Sequence, residues 1–299
     1  MAVGEASATR LYALLAREGD TGVVFRRGPS TQVQLIRWHL RGDTFEHGQW
    51  FKGRIYERRC DLSPNGEWLV YFAANHRGSP ASWTALSKPP FLTALALWPK
   101  EDCWGGGGVF EDATTLLLNH RFEGRNHGMS ESPRFHLPDG LRVLPFGQHS
   151  GGGEDEPIHG MRCQRDGWRL VDPGAGETGG RHSRTLFRFT RPECREKTNA
   201  DGLRLQSQLQ TVGRRNAAWY GLDHRVLDTE DRLLLDLPGS DWADWHGRDL
   251  VFARDGCLYR LPADAIGADA DALAGARLLH DFRDARFVHC PPTEDALQY

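Results

Sequence analysis

The tripeptide Asn-His-Arg occurs twice in this chain, as Asn75-His76-Arg77 and Asn119-His120-Arg121, each time directly after an apolar run. A third pair, Arg181-His182, falls in a comparable place further along. Imidazoles beside guanidiniums can bind a phosphate or carboxylate, and a histidine near its ordinary proton affinity can act as a general base at neutral pH. The competing reading is architectural: residues that repeat with a structural unit usually do repeated structural work, with Arg77 and the asparagines bracing their turns. Trp104 joins the candidate binding residues as an aromatic anchor next to a glycine run.

Other constellations carry less. Trp104-Gly105-Gly106-Gly107-Gly108 and Ser150-Gly151-Gly152-Gly153 lack the spacing and the strand-to-helix setting of a phosphate loop, which leaves close backbone approach as their expected role. Lys52, Arg54 and Arg58, at even spacing around Tyr56, would share one face if that stretch were a strand. Asp61, Asp102, Glu111, Asp112, Asp172, Asp241 and Asp244 include enough carboxyls for a glycosidase-like pair, but acids beside strand-entry turns are ordinary turn residues. No catalytic residue can be assigned from these patterns. Six widely spaced cysteines show no zinc-type spacing, so neither a metal nor a cofactor is expected.

The elements that must position these residues read as short strands. Ten Trp, 34 Gly and 16 Pro against three Met describe tight turns and aromatic packing rather than a helical bundle. Thr21 to Trp50 holds three strand-length segments separated by turn signals. Ser63-Pro64-Asn65-Gly66 is a turn leading into Trp68 to Phe72, a run apolar on both faces that must be covered on both sides. Asp241 to Pro262 repeats that layout, with strands at Leu250-Phe252 and Leu258-Leu261 around the turn Asp255-Gly256. Weaker copies run through Trp168 to Val171 with Thr185 to Phe189, and through Thr115 to Leu118. Repeats of this kind at intervals of about 45 residues predict a propeller or array.

At the Ser63-Pro64-Asn65-Gly66 turn, the apolar strand after it and Asn75-His76-Arg77-Gly78, the chain resembles the TolB-type β-propeller repeat over about a third of its length. The resemblance implies an all-β fold, a single β-propeller; counting the strand units along the chain gives about five four-stranded blades, or six if the last span hides another. The resemblance implies no activity. Residues 1–20 are expected to form a short N-terminal helix and lead-in, on the spacing of Leu11, Leu14 and Leu15, with the propeller over 21–299. The first unit is expected to lack an inner strand, which Arg286 to Cys290 would supply; Ala263 to Ala276 reads as a helical insertion.

A net charge of −3 provides no field for a polyanion, so nucleic acid is not an expected partner. No apolar run approaches a membrane span, and the opening residues lack signal-peptide features, so a cytoplasmic setting with reduced cysteines is expected. The functional expectation is a non-enzymatic module that binds a partner protein through its loop face, using His76, Arg77, Trp104, His120, Arg121 and His182. The alternative is a hydrolase acting on a glycoside or similar polar small molecule in a central pocket.

Overall fold

A computed structural model describes residues 9–28, 31–121, 128–180, 183–214, 218–267 and 273–299. Strands follow one another with little helix between them. They are β1 Arg10–Leu15, β2 Thr21–Arg27, β3 Gln32–His39, β4 Thr44–Lys52, β5 Arg54–Ile55, β6 Asp61–Leu62, β7 Leu69–Ala74, β8 Ser82–Ser87, β9 Ala96–Lys100, β10 Gly108–Phe110 and β11 Thr115–Leu118. After them come β12 Arg142–Pro145, β13 Arg169–Asp172, β14 Ala175–Thr178, β15 Phe187–Thr198, β16 Arg204–Val212, β17 Tyr220–Leu227, β18 Leu233–Leu237, β19 Trp242–His246, β20 Asp249–Arg254, β21 Cys257–Leu261 and β22 Arg277–Asp281. Among the described residues the one α-helix is α1, Ile158–Arg165. No helix among them is long and apolar enough to cross a membrane.

Among the described residues these strands form five sheets, and the chain is all-β. Strands β1 to β4 and β19 to β22 each form a four-stranded sheet in sequence order, and β7, β8 and β9 do the same with β5 and β6 both paired to β7. The sheet of β10, β11 and β12 has a parallel β11–β12 pair, and the longest joins β13 to β18. The chain divides into two compact units, Met1–Tyr12 with Gly167–Ala285, and Ala13–Asp166 with Arg286–Tyr299.

Strands buried on both faces form where the sequence has unbroken apolar runs. All six residues of β7 are buried, as are the four central ones of β20. In the unit built on residues 13–166, Trp68, Val70, Leu86, Trp98, Phe110 and Leu118 share one core cluster. In the other unit Leu205, Val226, Leu235, Leu250, Phe252 and Leu258 are buried.

Four expectations are corrected. Arg10–Leu15 is strand β1, not part of a helix: from Arg10 to Ala13 partly exposed and buried residues alternate with period two, Leu11 and Ala13 being the buried ones. Leucines at 11, 14 and 15 fit a helical face equally well, and the free ladder edge of β2 decides between the two. Because β1 completes the first sheet, no inner strand is missing, and Arg286 to Cys290 is irregular rather than a strand. The expected helical insertion begins with a 3-10 turn, Ala263–Ala265, rather than an α-helix, and its residues 268–272 lie outside the described residues. Lys52, Arg54 and Arg58 do not share a strand face, since β4 ends at Lys52 and Arg58 lies in the 3-10 turn Glu57–Arg59.

Candidate functional site

Within the unit of residues 13–166, the loops that follow β7, β9 and β11 are tied together. The β7–β8 turn closes through Asn75 N–H and His76 N–H, both donating to Ala81 O, and Asn75 Oδ1 accepts Arg77 N–H at 2.9 Å. His76 takes the left-handed conformation, with φ of 56°. This turn is fastened to the segment after β9 by Ser79 Oγ donating to Glu101 Oε1 at 2.6 Å and by Ser82 Oγ donating to Asp102 O. Asp102 Oδ1 in turn accepts the N–H of Trp104 at 3.1 Å and pairs with Lys100 at 3.3 Å.

The glycine runs then interlock. Gly105, Gly106 and Gly107 all have positive φ, and a Cβ on Gly106 would lie 2.4 Å from the Phe72 ring. Gly105 N–H donates to Gly153 O at 2.6 Å. Asn119, fully buried, holds the two runs from below: its Oδ1 accepts Gly151 N–H at 2.7 Å and its Nδ2 donates to Gly152 O at 2.9 Å. Its backbone N–H donates to Gly107 O, and its carbonyl accepts Gly106 N–H. Close backbone approach is therefore the role of these glycines.

A buried guanidinium underpins the same loops. Arg59 donates through Nε to Asp155 Oδ1 at 2.8 Å and through Nη1 to the carbonyls of Cys103 and Gly105, each at 2.7 Å. The group also lies 4.6 Å from the Tyr56 ring centroid and 5.2 Å from that of Phe72. With its charge paired and its donors directed at loop carbonyls, Arg59 fixes the path of the chain on either side of Trp104.

His120 is part of this frame and is not a surface base. It is 5% exposed, with Nε2 2.7 Å from Thr84 Oγ1, and Thr84 Oγ1 accepts Gly107 N–H at 2.8 Å. That second bond leaves the threonine hydroxyl hydrogen free to donate to Nε2, which requires a neutral imidazole. Burial, and then the Lys100 charge, push its proton affinity down to about 3.

The sequence candidates thus separate. His76, Arg77, Trp104 and Arg121 are all exposed, Trp104 at 56%, and belong to the linked loops. Arg121 lies against Gly151, where a Cβ would meet its Cγ at 2.7 Å. Among the described residues the side chains of Arg77 and Arg121 make no hydrogen bond or ion pair, so Arg77 does not brace its turn; Asn75 does. His182 lies outside the described residues.

Most of the candidate acids are engaged. Asp61, 2% exposed, accepts Arg165 at 2.5 and 2.9 Å and Phe110 N–H at 2.7 Å. Asp172 pairs with Arg191 and Asp244 with Lys197, both at 2.7 Å, and Asp112 Oδ1 accepts Thr114 N–H at the same distance. Among the described residues no group of three or more His, Cys, Asp or Glu side chains is placed to hold a metal ion. Arg59, Asp155 and Arg165 have no motif in the sequence. Their one signal is a charged residue close to strands whose neighbours are apolar, as Arg59 is beside Cys60 and Leu62.

No family model and no curated protein matches this chain. Among solved structures it is similar to prolyl oligopeptidase B from Galerina marginata, with a TM-score of 0.32 and 9% identity over 92% of this chain and 52% of that one. It is also similar to an uncharacterized protein from Listeria monocytogenes EGD-e, with a TM-score of 0.34 and 8% identity over 85% of this chain and 92% of the other. The chain thus spans about half the length of the first of these.

Proposed function

We propose that this chain is a β-propeller of the TolB-type repeat class, acting in the cytoplasm as a non-enzymatic module that binds a partner protein through the loops around Trp104. Sheets laid down strand by strand in sequence order support the propeller reading. One observation carries the binding reading: an indole 56% exposed stands on a backbone that Asn119, Arg59 and three left-handed glycines hold in place. A large, amphipathic ring that needs little ordering on association is the typical centre of an interface hot spot. Arg121, Arg77 and His76 supply a polar rim. The hydrolase reading requires a pair of carboxyls flanking the bond to be cleaved, and the ion pairs of Asp61, Asp172 and Asp244 weigh against those acids.

The test is photo-crosslinking from position 77, on the rim of the same loops, with Trp104 left in place. A benzophenone amino acid placed there should yield a discrete adduct in extract of the native host, suppressed by excess unlabelled protein but not by excess Trp104→Ala protein. Equal suppression by the Trp104→Ala competitor, or the same adduct from a benzophenone at exposed Arg277, would overturn the proposal.

A further inference from the structure

Asp241 precedes β19 and continues its pairing, with its N–H donating to Ala253 O at 2.9 Å. Its side chain, 8% exposed, turns to the beginning of β1: Oδ2 accepts Leu11 N–H at 3.3 Å and Oδ1 lies 3.4 Å from Arg10 Nη1. Both distances are long for a charge-assisted bond, which is ordinarily about 2.7 to 2.9 Å. A carboxylate removed from water with so little compensation is costly, and a neutral carboxyl in the same place costs much less.

The charged groups around it do not reverse that balance. Arg10, on β1, favours the ionised form, while Asp255, at the β20–β21 turn, opposes it. Asp255 is itself 3.6 Å from Arg254, which offsets part of its charge. Burial dominates and pushes the Asp241 carboxyl up to about 7.

We propose that Asp241 and the first residues of β1 form a pH-sensitive latch, closed while the carboxyl carries its proton and loosened when it ionises. The sign follows from linkage. When Arg10 and Leu11 lift away, Asp241 meets water and returns to its ordinary proton affinity of 3.8. The open form therefore gains stability relative to the closed one as pH rises from about 4 to about 7, and no further change follows above that.

The measurement is amide exchange of the full-length protein, resolved at Leu11 and corrected for the intrinsic pH dependence of exchange. Between pH 5.5 and pH 8 the protection factor should fall about 30-fold, the ratio expected for a group moving from about 3.8 to about 7 on closure. In Asp241→Asn it should not change over that range. Arg10→Gln is the second arm: loss of the cation should carry the midpoint of the fall to higher pH. A protection factor independent of pH in the native protein, a native-like fall in Asp241→Asn, or an unmoved midpoint in Arg10→Gln would each overturn the latch.

Discussion

The two copies of Asn-His-Arg provide a sharp test of how position overrides sequence. Replacing Asn119 by Ala removes two side-chain hydrogen bonds, to Gly151 N–H and Gly152 O, each contributing about 0.5 to 1.5 kcal/mol net. Gly151 is buried, so its N–H loses its partner without gaining water, a further cost of about 1 to 3 kcal/mol. Gly152 is half-buried and its carbonyl can be rehydrated in part, which keeps the total near 2 to 4 kcal/mol. Asn75→Ala removes one Asx-turn bond to Arg77 N–H on an exposed hairpin, where substitutions usually cost about 0.5 kcal/mol and seldom more than 1. Urea unfolding at pH 7, comparing midpoints at unchanged slope, separates the two. Equal losses in the two variants, or a loss below about 1 kcal/mol for Asn119→Ala, would refute the claim that this side chain clamps the glycine loops.

Two further outcomes are expected. Arg165→Ala should cost about 3 to 5 kcal/mol in the same assay, because it strands the buried Asp61 carboxylate without its bidentate partner; replacing both residues by apolar ones of similar volume should cost much less. His120 makes stability depend on acid: its folded proton affinity, about 3, lies below the ordinary 6.5, so the stability it contributes is present above pH 6.5 and is lost as pH falls towards 3. The slope is about 1.4 kcal/mol per pH unit, so urea melts at pH 7 and pH 5 should differ by about 2 kcal/mol more in the native protein than in His120→Gln; an equal difference in both proteins would mean that the imidazole is not held neutral in the fold.

What was readable in the sequence is what short-range pattern determines. The strands of Thr21 to Trp50 emerged as β2, β3 and β4, Thr115 to Leu118 as β11, and the hairpin around Asp255-Gly256 as β20 and β21. In each of these, apolar runs and turn residues act within a few positions of one another. Where the same residues satisfy two periods, as at Leu11, Leu14 and Leu15, the choice rests with the hydrogen-bond edge the segment meets, and local spacing does not encode that edge. The exposed half of the candidate site was legible for a similar reason. His76, Arg77, Trp104 and Arg121 sit at strand ends or in turns, and strand ends can be located from pattern.

The frame beneath them depends on partners far apart in the chain, and this is where reading by motif failed. Arg59 meets Asp155 across 96 positions, and Asp61 meets Arg165 across 104. Identical tripeptides after two apolar strands accordingly diverge. Residues 75–77 cap an antiparallel hairpin open to water, whereas Asn119 and His120 leave β11 beneath two glycine runs that shut water out. Burial then changes the chemistry of an unchanged residue type, since a histidine excluded from water and bonded to Thr84 has lost the proton affinity that made it a candidate base. Asp241 is altered by the same cause with the opposite sign: a buried base gives up its proton more readily and a buried acid holds it longer, so the fold is weakened through His120 as pH falls from 6.5 towards 3 and through Asp241 as pH rises from about 4 to about 7.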